Sequence, residues 1–349
     1  MNILAIDTSC DETSVSVVND DVILSNIIAS QISYHKIYGG VVPSLAKRIH
    51  EDVIDNVINE ALKKAKKNIK DIDLIAVTKG PGLALALETG LNRAKKLSIE
   101  NNISVIGINH MIGHIYAVFA KNRNGKRIFN KDIEFPILSL LVSGGHTELV
   151  ILKNYFEFEK IGETRDDAVG EAFDKSARVL GLGYPGGKIL SDMAENYTKI
   201  IPLTIPMQYS KDFDFSYSGL KSDFQRKFNE YRLNNKVTSE DISNFSKSFE
   251  LVAIEELLIK TLKAVDEFKP KSIIVGGGVS ANRYLRSELR KRIRSKYTEN
   301  PIPVYFPYTS HLSMDNAAMI GVVGYYLVEK KKITLPIFDY SEREPNLEL

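Results

Sequence analysis

The sequence predicts an α/β protein built twice on one plan, with a ligand held between its two halves. Three observations predict it. An apolar run at Ile3 to Ile6 and another at Pro136 to Val142 each lead through a turn of small or polar residues into a returning strand. A glycine run, Gly276-Gly277-Gly278, follows a third buried strand and precedes a helix, a place where backbone can approach a ligand closely. Between these points short apolar runs alternate with long amphipathic segments, the pattern of layered α/β domains.

Bulk properties exclude several classes. At 349 residues the chain is long enough for two core-bearing domains or one large duplicated one. With 44% hydrophobic and 26% charged residues and no biased tract, it is neither disordered nor fibrous in composition. No apolar run nears the ~20 residues of a membrane span, and the start runs straight into a strand without a basic leader. A soluble, cytoplasmic protein with no membrane association is expected. The single cysteine, Cys10, excludes an intrachain disulfide and a cysteine-cluster metal site. A net charge of +2 does not itself demand a nucleic-acid partner, although a local basic patch could bind one.

Taken in order, residues 3–6 and 14–18 read as strands joined by Asp7-Thr8-Ser9-Cys10-Asp11-Glu12-Thr13. That turn resembles the first phosphate loop of actin-like ATPases, where backbone N–H and hydroxyl groups face a nucleotide. Asp and Ser also favour such turns for reasons of turn chemistry alone. Residues 43–67 form an amphipathic helix, with Leu45, Ile49, Val53, Val57, Ala61 and Ala65 at four-residue steps and Lys63, Lys64, Lys66 and Lys67 crowding its end as a solvated face. A strand at 73–78 runs through the Gly80-Pro81-Gly82 turn into a helix ending near Ile99. The predicted order of this half is β-β-α-β-α-β-α.

The next strand, residues 103–108, delivers Asn109-His110-Met111-Ile112-Gly113-His114. Asn109 suits an N-cap, and the two histidines, one turn apart, share a helical face and can reach one divalent cation. Gly113 is expected to leave room for an approach to the backbone between them. The alternative is a buried pair satisfied by hydrogen bonds. A zinc-peptidase helix would carry a general-base Glu after the first His, where this chain has Met111.

After a polar stretch at 121–134, expected to be mobile, the pattern restarts with a strand at 136–142, the Ser143-Gly144-Gly145-His146-Thr147 loop and a strand at 148–152. Asp166, Asp167, Glu171 and Asp174 are expected in the first turns of the next helix, a density of carboxylates that calls for a cation or ligand hydroxyls. Tyr184-Pro185-Gly186-Gly187 opens another helix. Residues 203–217 read as irregular, and 218–228 and 241–268 as helices. After the strand at 272–275 and its glycines comes a helix carrying Arg286, Arg290, Lys291, Arg292, Arg294 and Lys296, either a soluble face or a nucleic-acid contact. A short strand at 304–306 precedes a last apolar helix. Asp315, near its start, completes a His-His-Asp set with His110 and His114 that leaves positions for substrate oxygens.

These motifs together resemble the universal family of tRNA threonylcarbamoyladenosine transferases, in its bacterial TsaD-like branch. The likeness spans nearly the whole chain, through Asp7 to Thr13, Tyr38-Gly39-Gly40-Val41-Val42-Pro43, Gly80 to Leu83, Asn109 to His114, Leu141 to Leu149, Asp167 to Lys175, Tyr184 to Gly187, Phe215-Ser216-Tyr217-Ser218-Gly219-Leu220-Lys221, Gly276 to Arg283 and Asp315 to Ile320. The resemblance implies an actin-like (ASKHA, ribonuclease H-like) fold of two lobes around a nucleotide cleft. The lobes expected are 1–134, joined by the last helices at about 316–345, and 135–315. It implies transfer of threonylcarbamoyl from threonylcarbamoyl-AMP to N6 of the adenosine 3′ of the anticodon in ANN-decoding tRNAs. His110, His114 and Asp315 would hold iron or zinc. Leu141, Val142, Ser143, Gly144, Gly145, Asp174, Gly187 and Asn282 would bind the adenylate, in a site that ATP or ADP also fits, and Asp11 and Glu12 would lie near the reacting carbonyl. The implied partners are tRNA, an inactive TsaB-like paralogue as heterodimer mate and a small TsaE-like P-loop ATPase. Lys47, Lys79, Leu85-Ala86-Leu87-Glu88 and His311-Leu312-Ser313-Met314 depart from the family pattern. Two other classes compete: a metallopeptidase, which Met111 argues against, and a non-catalytic ATP-binding scaffold, which has no need of a His-His-Asp set.

Overall fold

A computed structural model describes residues 1–125, 133–333 and 342–349. In chain order its elements begin with strands β1 (Asn2–Asp7), β2 (Glu12–Asn19) and β3 (Val22–Ser30). Then come α1 (Ile32–His35), α2 (Pro43–Ala65), β4 (Leu74–Gly80), α3 (Ala84–Asn101), β5 (Ser104–Asn109) and α4 (His110–Tyr116). The second series is β6 (Ile137–Val142), β7 (Thr147–Asn154), β8 (Glu157–Glu163), α5 (Val169–Val179), α6 (Gly187–Met193), α7 (Ser218–Asn234) and α8 (Ser239–Phe268). The chain closes with β9 (Ser272–Gly276), α9 (Arg283–Lys296), β10 (Val304–Tyr305) and α10 (Ala317–Lys331).

The chain divides into two compact units. Unit 1 comprises 1–132, 155–157 and 306–349, and unit 2 comprises 133–154 and 158–305. Each contains one five-stranded sheet of the same topology, β3-β2-β1-β4-β5 in the first and β8-β7-β6-β9-β10 in the second. In both, the hairpin is antiparallel and the strands across from it are parallel.

Unit 1 shows why β1 reads as an unbroken apolar run: both faces of its sheet are covered. Leu4 and Ile6 pack with Ile54, Val57 and Ile58 of α2 and Ala94 and Leu97 of α3. Ile3 and Ala5 lie under α10, whose Gly321 sits so close that an added Cβ would be 2.9 Å from Val18 and 3.1 Å from Ala5. The buried stripe of α2 runs through Ala46, His50, Ile54, Val57, Ile58, Ala61 and Ala65. It is rotated from the predicted one, leaving Leu45, Ile49 and Val53 at its edge. In unit 2 the core is aromatic: Phe173 of α5 and Phe224 of α7 each meet Phe249 of α8 edge-on.

Several expectations are corrected. The predicted order omits β3 and β8, the outer members of the two meanders. β8 alternates charged with apolar residues and has one fully buried residue, the pattern of an edge strand protected by charge. The order of the first half is therefore β-β-β-α-α-β-α-β-α. Helix α8 starts earlier than Asp241, because Thr238 and Asp241 form a reciprocal capping box. α7 runs on past Phe228 to Asn234. The last helix ends at Lys331. The expectations of mobility at 121–134 and of helix up to 345 fall partly on 126–132 and 334–341, outside the described residues. Among the described residues no helix is long and apolar enough to cross a membrane.

Candidate metal centre and glycine-loop site

The metal corner lies wholly within unit 1. Asn109 leaves β5 in an extended conformation and caps α4, its side-chain oxygen accepting from the N–H groups of Met111 (2.8 Å) and Ile112 (3.2 Å). Its Nδ2 donates to the Glu348 carbonyl at 3.0 Å. This cap starts the helix at His110, so His110 and His114 present edge-on rings 4.7 Å apart. Asp315 precedes the N-cap of α10, Asn316, and its Oδ1 lies 3.4 Å from His110 Nε2 and 3.2 Å from His114 Nε2. One ligand atom from each residue falls within 4.8 Å of the others. Gly113 serves packing rather than ligand access: a Cβ there would meet Met319 at 3.0 Å and Ile320 at 3.1 Å, both on α10.

The polar atoms of this corner are poorly matched to one another. His110 is 6% exposed and His114 1% exposed. His110 Nδ1, both ring nitrogens of His114 and Asp7 Oδ2 have no hydrogen-bond partner. Burial pulls the His110 pKa down, but Asp315 and Asp7 outweigh it and push it up to about 10. Burial likewise opposes the charge on Asp315, yet the two imidazoles hold its carboxyl well below the usual range. Buried polar groups left unpaired are costly. A divalent cation accepting Nε2 of both histidines and a carboxylate oxygen would satisfy the set, so these residues are compatible with a metal site. Asp7 was not foreseen. Its Oδ2 lies 3.5 Å from His110 Nδ1, where a carboxylate orients a metal-binding imidazole.

The loop between β1 and β2 corrects a second expectation. Two of its three hydroxyls are turned into the fold: Thr8 Oγ1 donates to the Ala86 carbonyl, and Thr13 Oγ1 meets His50 Nδ1 at 2.7 Å. His50, hidden in the α2 stripe, also reaches the Cys10 carbonyl through Nε2 at 3.0 Å, and burial lowers its pKa. The loop is pinned from the other side by Leu83 N–H donating to the Ser9 carbonyl at 2.8 Å. What it leaves half-buried is Cys10, Asp11 and Glu12. Burial first, then Asp11, Asp315 and Asp7, raises the Glu12 pKa well above its usual value. Three of the departures noted above pair with each other or with the C-terminal segment: Lys47 with Glu88 (3.3 Å), Arg343 with Glu88 (3.1 Å) and Lys79 with Glu344 (2.8 Å).

In unit 2 the eight residues singled out for the adenylate are brought together by a ring of contacts. Leu141 and Val142 are fully buried, main chain included, and the accessible part of this loop begins at Ser143. Ser143 closes its loop by accepting the N–H groups of Gly145 (3.3 Å) and His146 (3.0 Å), while open space lies beside Gly144 and Gly145. Gly170 of α5 packs on Ser143, where a Cβ would be 2.5 Å from its carbonyl oxygen. Asp174 Oδ1 accepts from Gly186 N–H (2.8 Å) and Gly187 N–H (2.7 Å), setting the start of α6. Asn282 caps α9 through Leu285 N–H (2.8 Å), and its Nδ2 donates to Ser191 of α6 (3.0 Å) and Glu250 of α8 (2.8 Å). Gly277 closes the ring at φ +86°, with its Cβ direction 2.4 Å from the Val142 carbonyl oxygen. Only glycine fits there.

The four carboxylates of this region do not call for a cation. Asp166 and Asp167 precede α5 rather than opening it. Asp166 accepts from the hydroxyl and N–H of Ser218 (2.6 and 3.1 Å), the Ser216 hydroxyl (2.5 Å) and Tyr217 N–H (2.7 Å). Asp167 pairs with Lys175 (2.7 Å) and with Lys221. Glu171 pairs with Lys175 at 2.8 Å.

Two like sheets, each a meander joined to parallel strands, define the actin-like (ASKHA, ribonuclease H-like) class. Solved structures share the fold: full-length HypF in its phosphate- and nucleotide-bound form (TM-score 0.59, 12% identity, 95% of this chain, 56% of that one) and component A of (R)-2-hydroxyglutaryl-CoA dehydratase from Acidaminococcus fermentans (TM-score 0.53, 14% identity, 95% of this chain, all of that one). A family profile described as TsaD, tRNA N6-adenosine threonylcarbamoyltransferase, matches residues 22–322. Proteins of that name from Bacillus subtilis (45% identity, 95% of this chain, 91% of that protein) and Halalkalibacterium halodurans (43% identity, 99% and 96%) align almost end to end. The chain belongs to the tRNA N6-adenosine threonylcarbamoyltransferase family.

Proposed function

We propose that this chain transfers a threonylcarbamoyl group from threonylcarbamoyl-AMP to N6 of the adenosine 3′ of the anticodon in ANN-decoding tRNAs. The observation that carries the reading is the His110-His114-Asp315 set, intact and with unpartnered nitrogens, in a member of this transferase family. Iron or zinc held there would act as a Lewis acid on an oxygen of the mixed anhydride. With a metal held there, Asp7, whose Oδ2 lies 3.5 Å from Nδ1, would orient His110. The amine lone pair attacks the carbamoyl carbonyl carbon, the bond from that carbon to the phosphate oxygen breaks, and AMP leaves with the electron pair. Asp11 or Glu12 takes the N6 proton. Main-chain groups of Ser143 to Gly145, with the region set by Asp174, Gly187 and Asn282, hold the adenylate. This division of labour needs no serine or cysteine nucleophile. The reading places the enzyme in the cytoplasm, working with a TsaB-like mate and a TsaE-like ATPase.

The test combines the full-length chain, both partners, ATP, threonine, bicarbonate and unmodified tRNA, with nucleoside mass spectrometry as the readout. Threonylcarbamoyladenosine is expected, and metal analysis of the active protein should find iron or zinc. No product even from purified threonylcarbamoyl-AMP would overturn the reading.

A further inference from the structure

The function above makes no use of α9, whose cations are sorted by side. Leu285, Leu289 and Ile293 bury one face of the helix. On one flank Arg292 makes a bidentate pair with Glu255 (2.5 and 2.8 Å), and Lys296 pairs with Asp266. The other flank lines a groove of about 580 Å³ formed by Arg283, Arg286, Ser287, Arg290, Lys291, Arg294 and Ser295, with no carboxylate among them. Two of its cations lean on acids outside the groove, Arg283 on Glu195 (2.7 Å) and Lys291 on Glu288 (3.4 Å). Arg286, Arg290 and Arg294 recur every fourth residue, so the three line up along one side of the helix at a rise of about 6 Å per step. Arg286 is half-buried and fixed by donating Nε–H to the Ser280 carbonyl at 2.6 Å. Burial and the neighbouring Arg290 both lower its pKa, the setting in which a bound anion gives the most relief. Five cations and no carboxylate line the groove itself, a density of positive charge suited to a polyanion. The stripe also begins next to Asn282, so whatever it grips lies beside the glycine-loop ring of the same unit.

We propose that the Arg286-Arg290-Arg294 flank of α9 binds the phosphate backbone of the tRNA, a reading that rests on the tRNA substrate proposed above. Guanidinium groups match phosphate oxygens in a bidentate fork, and a row of them follows a strand without reading sequence. The surface therefore sets affinity and salt dependence, not the choice of base.

The test measures binding of unmodified tRNA to the full-length protein by fluorescence anisotropy from 50 to 300 mM salt, ranges chosen on the order of those that resolve counterion release. Three proteins are compared: the parent, R286Q/R290Q/R294Q and a control, K63Q/K64Q/K67Q, that removes equal charge from the end of α2. No acyl donor is present, so a wrong assignment of the reaction would abolish transfer by the parent while leaving this result standing. The arginine variant is expected to bind at least about tenfold more weakly at low salt, with its log Kd against log salt slope flatter by about 2 units, each lost phosphate contact contributing about 0.7–0.9. The lysine variant should match the parent, and circular dichroism should show all three folded. Equal affinity and slope in parent and arginine variant, including no measurable binding by either, would overturn the proposal. Loss of a protein partner with tRNA binding intact would overturn it in favour of a protein interface.

Discussion

The metal corner of unit 1 and the glycine ring of unit 2 use polar groups in opposite ways. In the first, buried imidazole and carboxylate atoms face one another without hydrogen-bond partners, and their charges are balanced only by each other. In the second, Asp174, Asn282 and Asp166 are spent on the protein's own backbone and side chains, and what is left open is bare main chain beside glycines. The difference teaches where each region keeps its function. Side chains of the first are left unmatched within the fold, whereas those of the second build a scaffold that leaves glycine main chain open.

Mutations should separate the two. The largest effect is expected from His110→Ala with His114→Ala: metal content should vanish and transfer fall by at least about 1000-fold, a loss of several kcal/mol of Lewis-acid stabilisation. Those imidazoles hold the Asp315 carboxylate at 3.2–3.4 Å, so His110→Ala/His114→Ala/Asp315→Asn, which removes that charge as well, should keep a thermal midpoint close to that of the metal-free parent. A large drop in that midpoint would mean that the pair is structural. Asp174→Ala should do the reverse. It orphans the N–H groups of Gly186 and Gly187, costing about 2–4 kcal/mol at roughly 1–2 kcal/mol for each, measurable by urea unfolding. Adenylate affinity should fall with it while metal content stays, and unchanged stability would show that the ring does not depend on this carboxylate.

The smallest effect tests an exception within unit 2. Glu256 of α8 is buried, accepts from Ser216 N–H at 2.9 Å and has a second oxygen without a partner. Burial, opposed by that N–H and by Lys260, pushes its pKa up to about 8 from 4.5. Between those values the folded protein keeps a proton that the unfolded chain has lost, so stability falls as pH rises through the window and levels off above it. Glu256→Gln removes that dependence. It should unfold at the same urea concentration as the parent near pH 4.5 and be more stable by about 1–3 kcal/mol near pH 8.5, an order-of-magnitude figure. Parallel pH profiles for the two proteins would show that Glu256 is ionised in the fold.

Sequence periodicity was enough for the inner strands, because strands covered on both faces must be continuously apolar, and for α4, because the Asn109 cap and the four-residue spacing of His110 and His114 are local facts. It was not enough for β3 and β8, whose outer position permits the polar residues that hide a strand. Nor could it place Asp7 against His110 or His50 beneath Cys10, since each of those pairs is joined by strands and helices far apart in the chain.

The sequence by itself therefore determined the duplicated α/β plan, the helix that carries His110 and His114 and the glycine turns, all of which are written in short-range patterns of size, polarity and spacing. Only the tertiary structure decided which polar groups are free to act. A carboxylate such as Asp166 or Asp174 looks the same in sequence whether it meets a ligand or caps its own backbone, and the outcome rests on which N–H groups the fold brings within about 3 Å of it.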